Sequence, residues 1–474
     1  MDEASIRFDR LPRAGAILRT PDTAWRVATA PRAAVLIDAA SYFCLLEQCL
    51  CAAQSEIFII GWDFDAAIQL CPEADAPVTL GTLLRQLVEQ QPDLTVRILL
   101  WGLGPLYGPG ATLPLLLGEE WREHPRIQLR LDTEHPLGAA HHQKLVVIDG
   151  CLAFVGGIDL TVGRWDCPSH RPTSPHRTNA EGEPCPPVHD LQMVVDGDAA
   201  RDVAALARHR WLRATGEPLA APDQGAAPWP AGFVEQFREA TIGIARTLAP
   251  TATEGAAREA AAMTDAALLA ARDHLYIETQ YLTARQVGDR LAELLEQREG
   301  PEIVILVNHR SHAFVEHMVM GQNRDRLIRR LTQADRYDRL RVYYAVVPDS
   351  TGADLSIELH SKVIIADDRF LRIGSSNLNN RSLGFDSECD LGLEAASVEQ
   401  HAAIARIRNA LLAEHLDATP EQVAAAISAT GSLIAAIARL NDKPRGLREF
   451  AAEDGPAEPL VGTGLLDPEE PFEF

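Results

Sequence analysis

The chain repeats itself at a fixed interval. HHQKLVVIDG, residues 141–150, holds His142, Lys144 and Asp149, and HSKVIIADD holds His360, Lys362 and Asp367 at the same spacing 218 residues later. The same offset aligns AAQSEIFIIGWDF (52–64) with AARDHLYIETQYL (270–282). It also sets Gly156, Gly157, Ile158, Asp159 and Leu160 over Gly374, Ser375, Ser376, Asn377 and Leu378. Separate landmarks on one offset identify a duplicated domain, which constrains the architecture before any single residue is read.

Each half alternates helical and strand patterns. DAASYFCLLEQCLCAA has apolar positions at helical period, EIFIIGW reads as a strand, LGTLLRQLVEQQ as a helix and TVRILLWG as a strand. MTDAALLAARD, HLYIETQY, QVGDRLAELLEQ and EIVILVN answer in the second half. Such alternation predicts an α/β fold with helices on both faces of a sheet. The expected organisation is a first lobe over 1–215, a linker over 216–235, a second lobe over 236–445 and an acidic, Pro-rich tail over 446–474 that lies over the surface or is disordered. A length of 474 residues fits two such lobes, each about 200 residues long.

The net charge of -23 repels polyanions, which disfavours a nonspecific nucleic-acid binder. MDEASIRFDRLPRAG has no apolar core of the kind a secretory signal needs, so the expected location is the cytoplasm. VAAAISATGSLIAAIA (423–438) falls short of the roughly 20 residues of a spanning helix and reads as one packed helix. Cys44, Cys49 and Cys51 sit in an apolar helical pattern as small buried hydrophobes, and no disulfide framework is expected. Cys167, His170, His176, Cys185 and His189 crowd one loop, yet no short-spaced ligand pair appears among them. Neither a metal nor another cofactor is expected.

LVVID and VIIAD are β-branched and apolar, so each motif opens a buried strand. Alternate side chains of a strand share a face, which projects His142 with Lys144 and His360 with Lys362. Asp149 and Asp367 fall at an odd offset from the lysine, before a turn, and read as structural anchors rather than nucleophiles. If the lobes pack about a pseudo-twofold axis, two imidazoles and two ammonium groups meet in one cleft, which suits a phosphodiester. One imidazole attacks phosphorus while the other protonates the leaving alkoxide, and the lysines stabilise the equatorial oxygens.

These motifs resemble the mark of the phospholipase D superfamily, two His-x-Lys-x4-Asp motifs each followed by Gly-Gly or Gly-Ser and an Asn or Asp. IFIIGWDFD (57–65), GGIDLTVGRWD (156–166), VHDLQ (188–192), YIETQYL (276–282) and GSSNLNNRSLGFDSE (374–388) look like blocks of its lipid-acting, eukaryotic-type branch. The resemblance implies two lobes of the phospholipase D fold with the active site between them, and no module beyond the catalytic unit. It implies that His142 and His360 are nucleophile and general acid/base, with His142 favoured as nucleophile, and that Glu388 orients a catalytic imidazole. Asp166 is the weaker candidate for the equivalent acid in the first half. Asn377 matches a phosphate-contacting amide, while Asp159 at the paired position more naturally holds Lys144 or the backbone. Gly157 and Ser375 complete the candidate substrate-binding positions. Thr279 stands where the family usually has Asn. Trp62, Phe64, Trp165 and Tyr281, with the loop 163–189, are candidates for lipid contact.

The implied function is headgroup cleavage of a glycerophospholipid to phosphatidic acid, with a phospholipid substrate, peripheral contact with a membrane, no nucleic acid and no obligate protein partner. Phosphatidyl transfer, as in a cardiolipin synthase, and a nuclease of the same superfamily are the alternatives. A scaffold that kept only the fold is the third, and it is disfavoured because both motifs are complete.

Overall fold

The computed structural model describes residues 15–102, 120–222, 229–251, 254–309, 320–459 and 462–470. Most of the amino-terminal stretch, the middle of the expected linker and the last four residues lie outside them.

Seven strands build each half in the same order. In the first, Ile127–Asp132, Thr95–Trp101 and Glu56–Gly61 run parallel, followed by antiparallel Leu145–Ile148, Leu152–Gly156, Leu191–Asp196 and Arg26–Ile37. In the second, Leu340–Pro348, Glu302–Leu306 and His274–Thr279 run parallel, followed by Lys362–Ala366, Phe370–Gly374, Glu388–Glu394 and Phe237–Leu248. The long edge strands then pair with each other in antiparallel register, from Arg26 opposite Ile244 to Ala33 opposite Phe237. Two sheets of one topology joined through an antiparallel pair give the pseudo-twofold relation that the repeat implied.

Because side chains alternate across a strand, each sheet divides its residues between two cores. Ile57 and Ile59 face an outer core with the helices Asp38–Ala52 and Leu80–Gln90, while Phe58 and Ile60 face a central one. The central core is common to both halves. It holds Ala204, Leu206 and Trp211 of the helix Gly197–Thr215 together with Ile404, Leu411 and Leu412 of the helix Val398–His415. The second lobe has its own outer core under Glu259–Ala270 and Arg285–Glu296. Burial on both faces explains the continuous apolar runs of the central strands.

Three expectations are corrected here. The run 423–438 is two helices, Pro420–Thr430 and Leu433–Leu440, because Gly431 takes a left-handed φ of 66° and Ser432 caps the next helix. The tail begins inside the second sheet: Gly446–Glu449 pairs with Leu340–Pro348, and only the residues beyond it run over the surface. Cys44 is not a lone buried hydrophobe, since it is disulfide-bonded to Cys71 with Cα atoms 5.0 Å apart.

Candidate functional site

Each motif enters its strand beside a segment of the opposite lobe. The His142 N–H donates to the Ser387 carbonyl at 2.9 Å, and the His360 N–H donates to the His189 carbonyl at 2.8 Å. Two short parallel ladders result, His141 opposite Ser387 and Glu358–Leu359 opposite Val188–His189. The residue that follows each contact supplies a carboxylate. Glu388 places Oε2 2.9 Å from His142 Nδ1, and Asp190 places Oδ2 2.6 Å from His360 Nδ1. Each imidazole is therefore held at Nδ1 by an acid of the other lobe, which leaves Nε2 for chemistry.

The lysines are fixed differently. Lys144 Nζ lies 3.1 Å from Asp159 Oδ2, while Asp159 Oδ1 accepts the Trp62 N–H at 2.9 Å. Position 377 carries an amide instead, and Lys362 Nζ bonds Gln280 Oε1 at 3.2 Å and the His360 carbonyl. Asn377 is buried with no hydrogen-bond partner at Oδ1. Burial, against the opposing pull of Asp190 and with Lys144 and Arg164 adding to it, brings Lys362 down to about 7. Burial and then the two lysines hold His142 well below the usual imidazole range. Burial, Arg164 and both lysines do the same to His360. Burial pushes Asp190 up to about 7 and Glu388 well above the carboxylate range. Each motif's groups thus feel the other motif's, and the cleft disfavours charge until an anion enters it.

Asp149 and Asp367 are anchors. Both take a positive φ, 50° and 52°, and both turn their carboxylate onto successive backbone N–H groups. Asp149 receives those of Gln54, Ser55 and Glu56, and Asp367 those of Arg272, Asp273 and His274. These triplets stand 218 residues apart, so the duplication extends to the bonds. Asp149→Ala and Asp367→Ala each leave three donors without their acceptor. Each is expected to lower the unfolding free energy by about 2 kcal/mol or more in denaturant titrations.

Asp166 is not the partner of an active-site imidazole. It binds His170 Nδ1 at 3.0 Å, Arg177 Nη1 at 2.7 Å and the Val188 N–H at 2.9 Å, and so ties down the long loop. The group missed is Asp190, 198 residues before Glu388 where the motifs stand 218 apart. Register shows the two acids to be equivalent, since Gly156 pairs Gln192 as Gly374 pairs Asp390. Gly157 permits the approach: a Cβ there would lie 2.2 Å from Asp190 Oδ1. Its counterpart Ser375 donates from Oγ to Glu388 Oε2 at 2.5 Å. Thr279 accepts the Leu378 N–H at 3.2 Å, a packing role. Phe64 and Trp165 are buried core residues and offer nothing to a lipid, whereas Trp62 and Tyr281 are half-buried. Cys167, His170, His176, Cys185 and His189 do not converge as one set.

Two family models match the chain, "Phospholipase D" over residues 132–225 and "Cardiolipin synthase, PLD-like domain" over residues 265–409. Together they take in half of the chain and both motifs. The chain belongs to the phospholipase D superfamily. Phospholipase D A of Dictyostelium discoideum is 23% identical over 423 residues, 75% of this chain and 32% of its own length. Phospholipase D gamma 1 of Arabidopsis thaliana is 30% identical over 213 residues, 34% of this chain and 24% of its own. The chain thus spans a third or less of the length of these phospholipase D relatives. The phosphatidylserine synthase of Haemophilus influenzae shares the fold at a TM-score of 0.55 and 13% identity, over 88% of this chain and 96% of that one. Among the described residues, no helix of this superfamily member is long and apolar enough to cross a membrane.

Proposed function

We propose that the chain is a phosphatidyl-transferring phosphodiesterase that cleaves the headgroup ester of a glycerophospholipid to phosphatidic acid. The observation that carries this reading is the crossed pair His142–Glu388 and His360–Asp190 around two buried lysines. His142 Nε2 attacks phosphorus; 17% of its side chain reaches solvent against 5% for His360, so it is the more open to an incoming diester. The P–O bond to the headgroup breaks as a P–N bond forms, and His360 gives its proton to the departing alkoxide. Water then enters, His360 takes a proton from it, and the P–N bond breaks to release phosphatidic acid. Lys144 and Lys362 balance the charge gathering on the equatorial oxygens. An alcohol in place of water gives transfer, a second reading favoured by the cardiolipin synthase family match over residues 265–409. The lipid class is supported by the names of the relatives, and peripheral contact with a membrane follows from it.

Incubation with labelled phosphatidylcholine, phosphatidylglycerol and plasmid DNA, with no divalent ion added, separates these readings. Phosphatidic acid from either lipid supports hydrolysis, and cardiolipin from phosphatidylglycerol supports transfer. Nicked plasmid with intact lipid would replace both by a nuclease. Gly157→Ala forces Asp190 away and displaces His360 with it, so turnover is expected to fall by about a hundredfold while the circular dichroism spectrum is kept. Unchanged turnover in that variant would remove Asp190 from the arrangement.

A further inference from the structure

Behind His189, on the side away from the cleft, three histidines and four carboxylates are packed out of solvent. His170 Nε2 lies 2.8 Å from Glu414 Oε1 and 3.6 Å from Asp38 Oδ2. His189 Nδ1 lies 2.7 Å from Glu414 Oε1 and 3.1 Å from Asp38 Oδ1. We propose that Asp38, His170, His189 and Glu414 form a structural site for a transition-metal dication of the zinc class, clamping the two lobes together. The site is independent of the chemistry proposed for the cleft.

Four arguments converge. The donor set is two imidazole nitrogens and two carboxylates, which suits zinc and not calcium or magnesium, whose sites are built from oxygen. All four donor atoms lie within 4.8 Å of one another. A tetrahedral ion at zinc's usual bond lengths holds its ligands roughly 3.3 Å apart, so small adjustments suffice. Each imidazole also has its far nitrogen on a further carboxylate, His170 Nδ1 on Asp166 at 3.0 Å and His189 Nε2 on Glu278 at 3.1 Å. That outer pairing fixes a metal-ligating histidine in the tautomer whose inner nitrogen is free to bind. Finally, Asp38 is fully buried, its Oδ2 has no hydrogen-bond partner, and its backbone is held at a φ of 61° that a non-glycine residue rarely adopts.

The ligands span the fold. Asp38 opens the helix Asp38–Ala52, His170 sits in the long loop of the first lobe, and Glu414 lies on the last turn of Val398–His415. His189 immediately precedes Asp190, so an ion here would fix the segment that positions His360 from behind. No short-spaced motif signals the site because its members stand at positions 38, 170, 189 and 414.

The test is metal analysis of the full chain, purified without chelator, followed by stripping and titration with zinc alone. The expected result is one zinc per chain, a melting temperature raised by several degrees in excess zinc, and visible absorption of a tetrahedral site when Co2+ replaces it. Glu414→Gln and His170→Gln should each weaken zinc binding at least about a hundredfold, and Asp166→Asn about tenfold through the outer pairing. Should a variant not fold, the titration and the Co2+ spectrum of the unaltered chain decide alone. No zinc retained and none bound at micromolar concentration, or binding unaffected in both folded ligand variants, would leave a network of buried ion pairs and overturn the site.

Discussion

His142→Ala and His360→Ala are each expected to lower turnover by more than about a thousandfold while moving the melting temperature by only a few degrees. The asymmetry follows from where the rings stand. Each projects into the cleft from the entry of a strand, with 17% and 5% of its side chain exposed, and neither belongs to the apolar cores that hold the sheets. Each supplies a distinct step, attack on phosphorus or proton transfer to the leaving oxygen, and without either the two-step path does not close. The double variant should therefore be little worse than either single one, since groups that act as a unit do not contribute additively. Steady-state assays on a lipid substrate, with thermal unfolding alongside, check all three variants. Near-normal activity in either single variant would break the assigned pairing.

The parts of this arrangement that were legible in the sequence are those that a fixed offset preserves. The motifs, the strands that carry them and the anchors Asp149 and Asp367 repeat at 218 residues because strand pairing and the turns between neighbouring strands tolerate no insertion there. Asp190 was hidden because the first lobe carries a longer connection, from Leu160 to Val188, between its glycine pair and its acid. An alignment at constant offset slides past it and stops at Asp166, an acid used to hold the loop. The usable signal was an acid directly before a buried strand, Asp190 ahead of LQMVVD, as Glu388 stands at the head of ECDLGLE. Burial was harder to foresee. Phe64 and Trp165 resembled cleft aromatics in pattern, yet the loop folds back and takes both into the outer core. The break at Gly431 was readable as a left-handed cap but was masked by unbroken alanine-rich helical composition on both sides.

Asp190→Asn and Glu388→Gln test whether the lobes act on each other. Each substitution keeps the volume and one acceptor oxygen beside the imidazole, and removes the acid that supports its charged form. A comparable change in the serine-protease triad costs about ten-thousandfold, and here kcat is expected to fall by about a hundredfold to ten-thousandfold with KM little changed. The loss should be visible in either direction across the interface, because Glu388 of the second lobe serves His142 and Asp190 of the first serves His360. A merely structural role predicts something else: lower stability, with kcat of the folded fraction intact. Burial lifts both carboxyls above their ordinary range, so replacing them by neutral amides imposes no new buried charge, and the folded state should tolerate either variant. The pH profile separates the two cases. Loss of a positioning acid moves the ionisations that govern kcat, since the imidazole it served loses the partner of its protonated form, whereas loss of packing lowers the curve without shifting it. Equal and large losses from the two substitutions would mean that neither half is an enzyme alone, and that the duplication is kept together because each repeat completes the other's site.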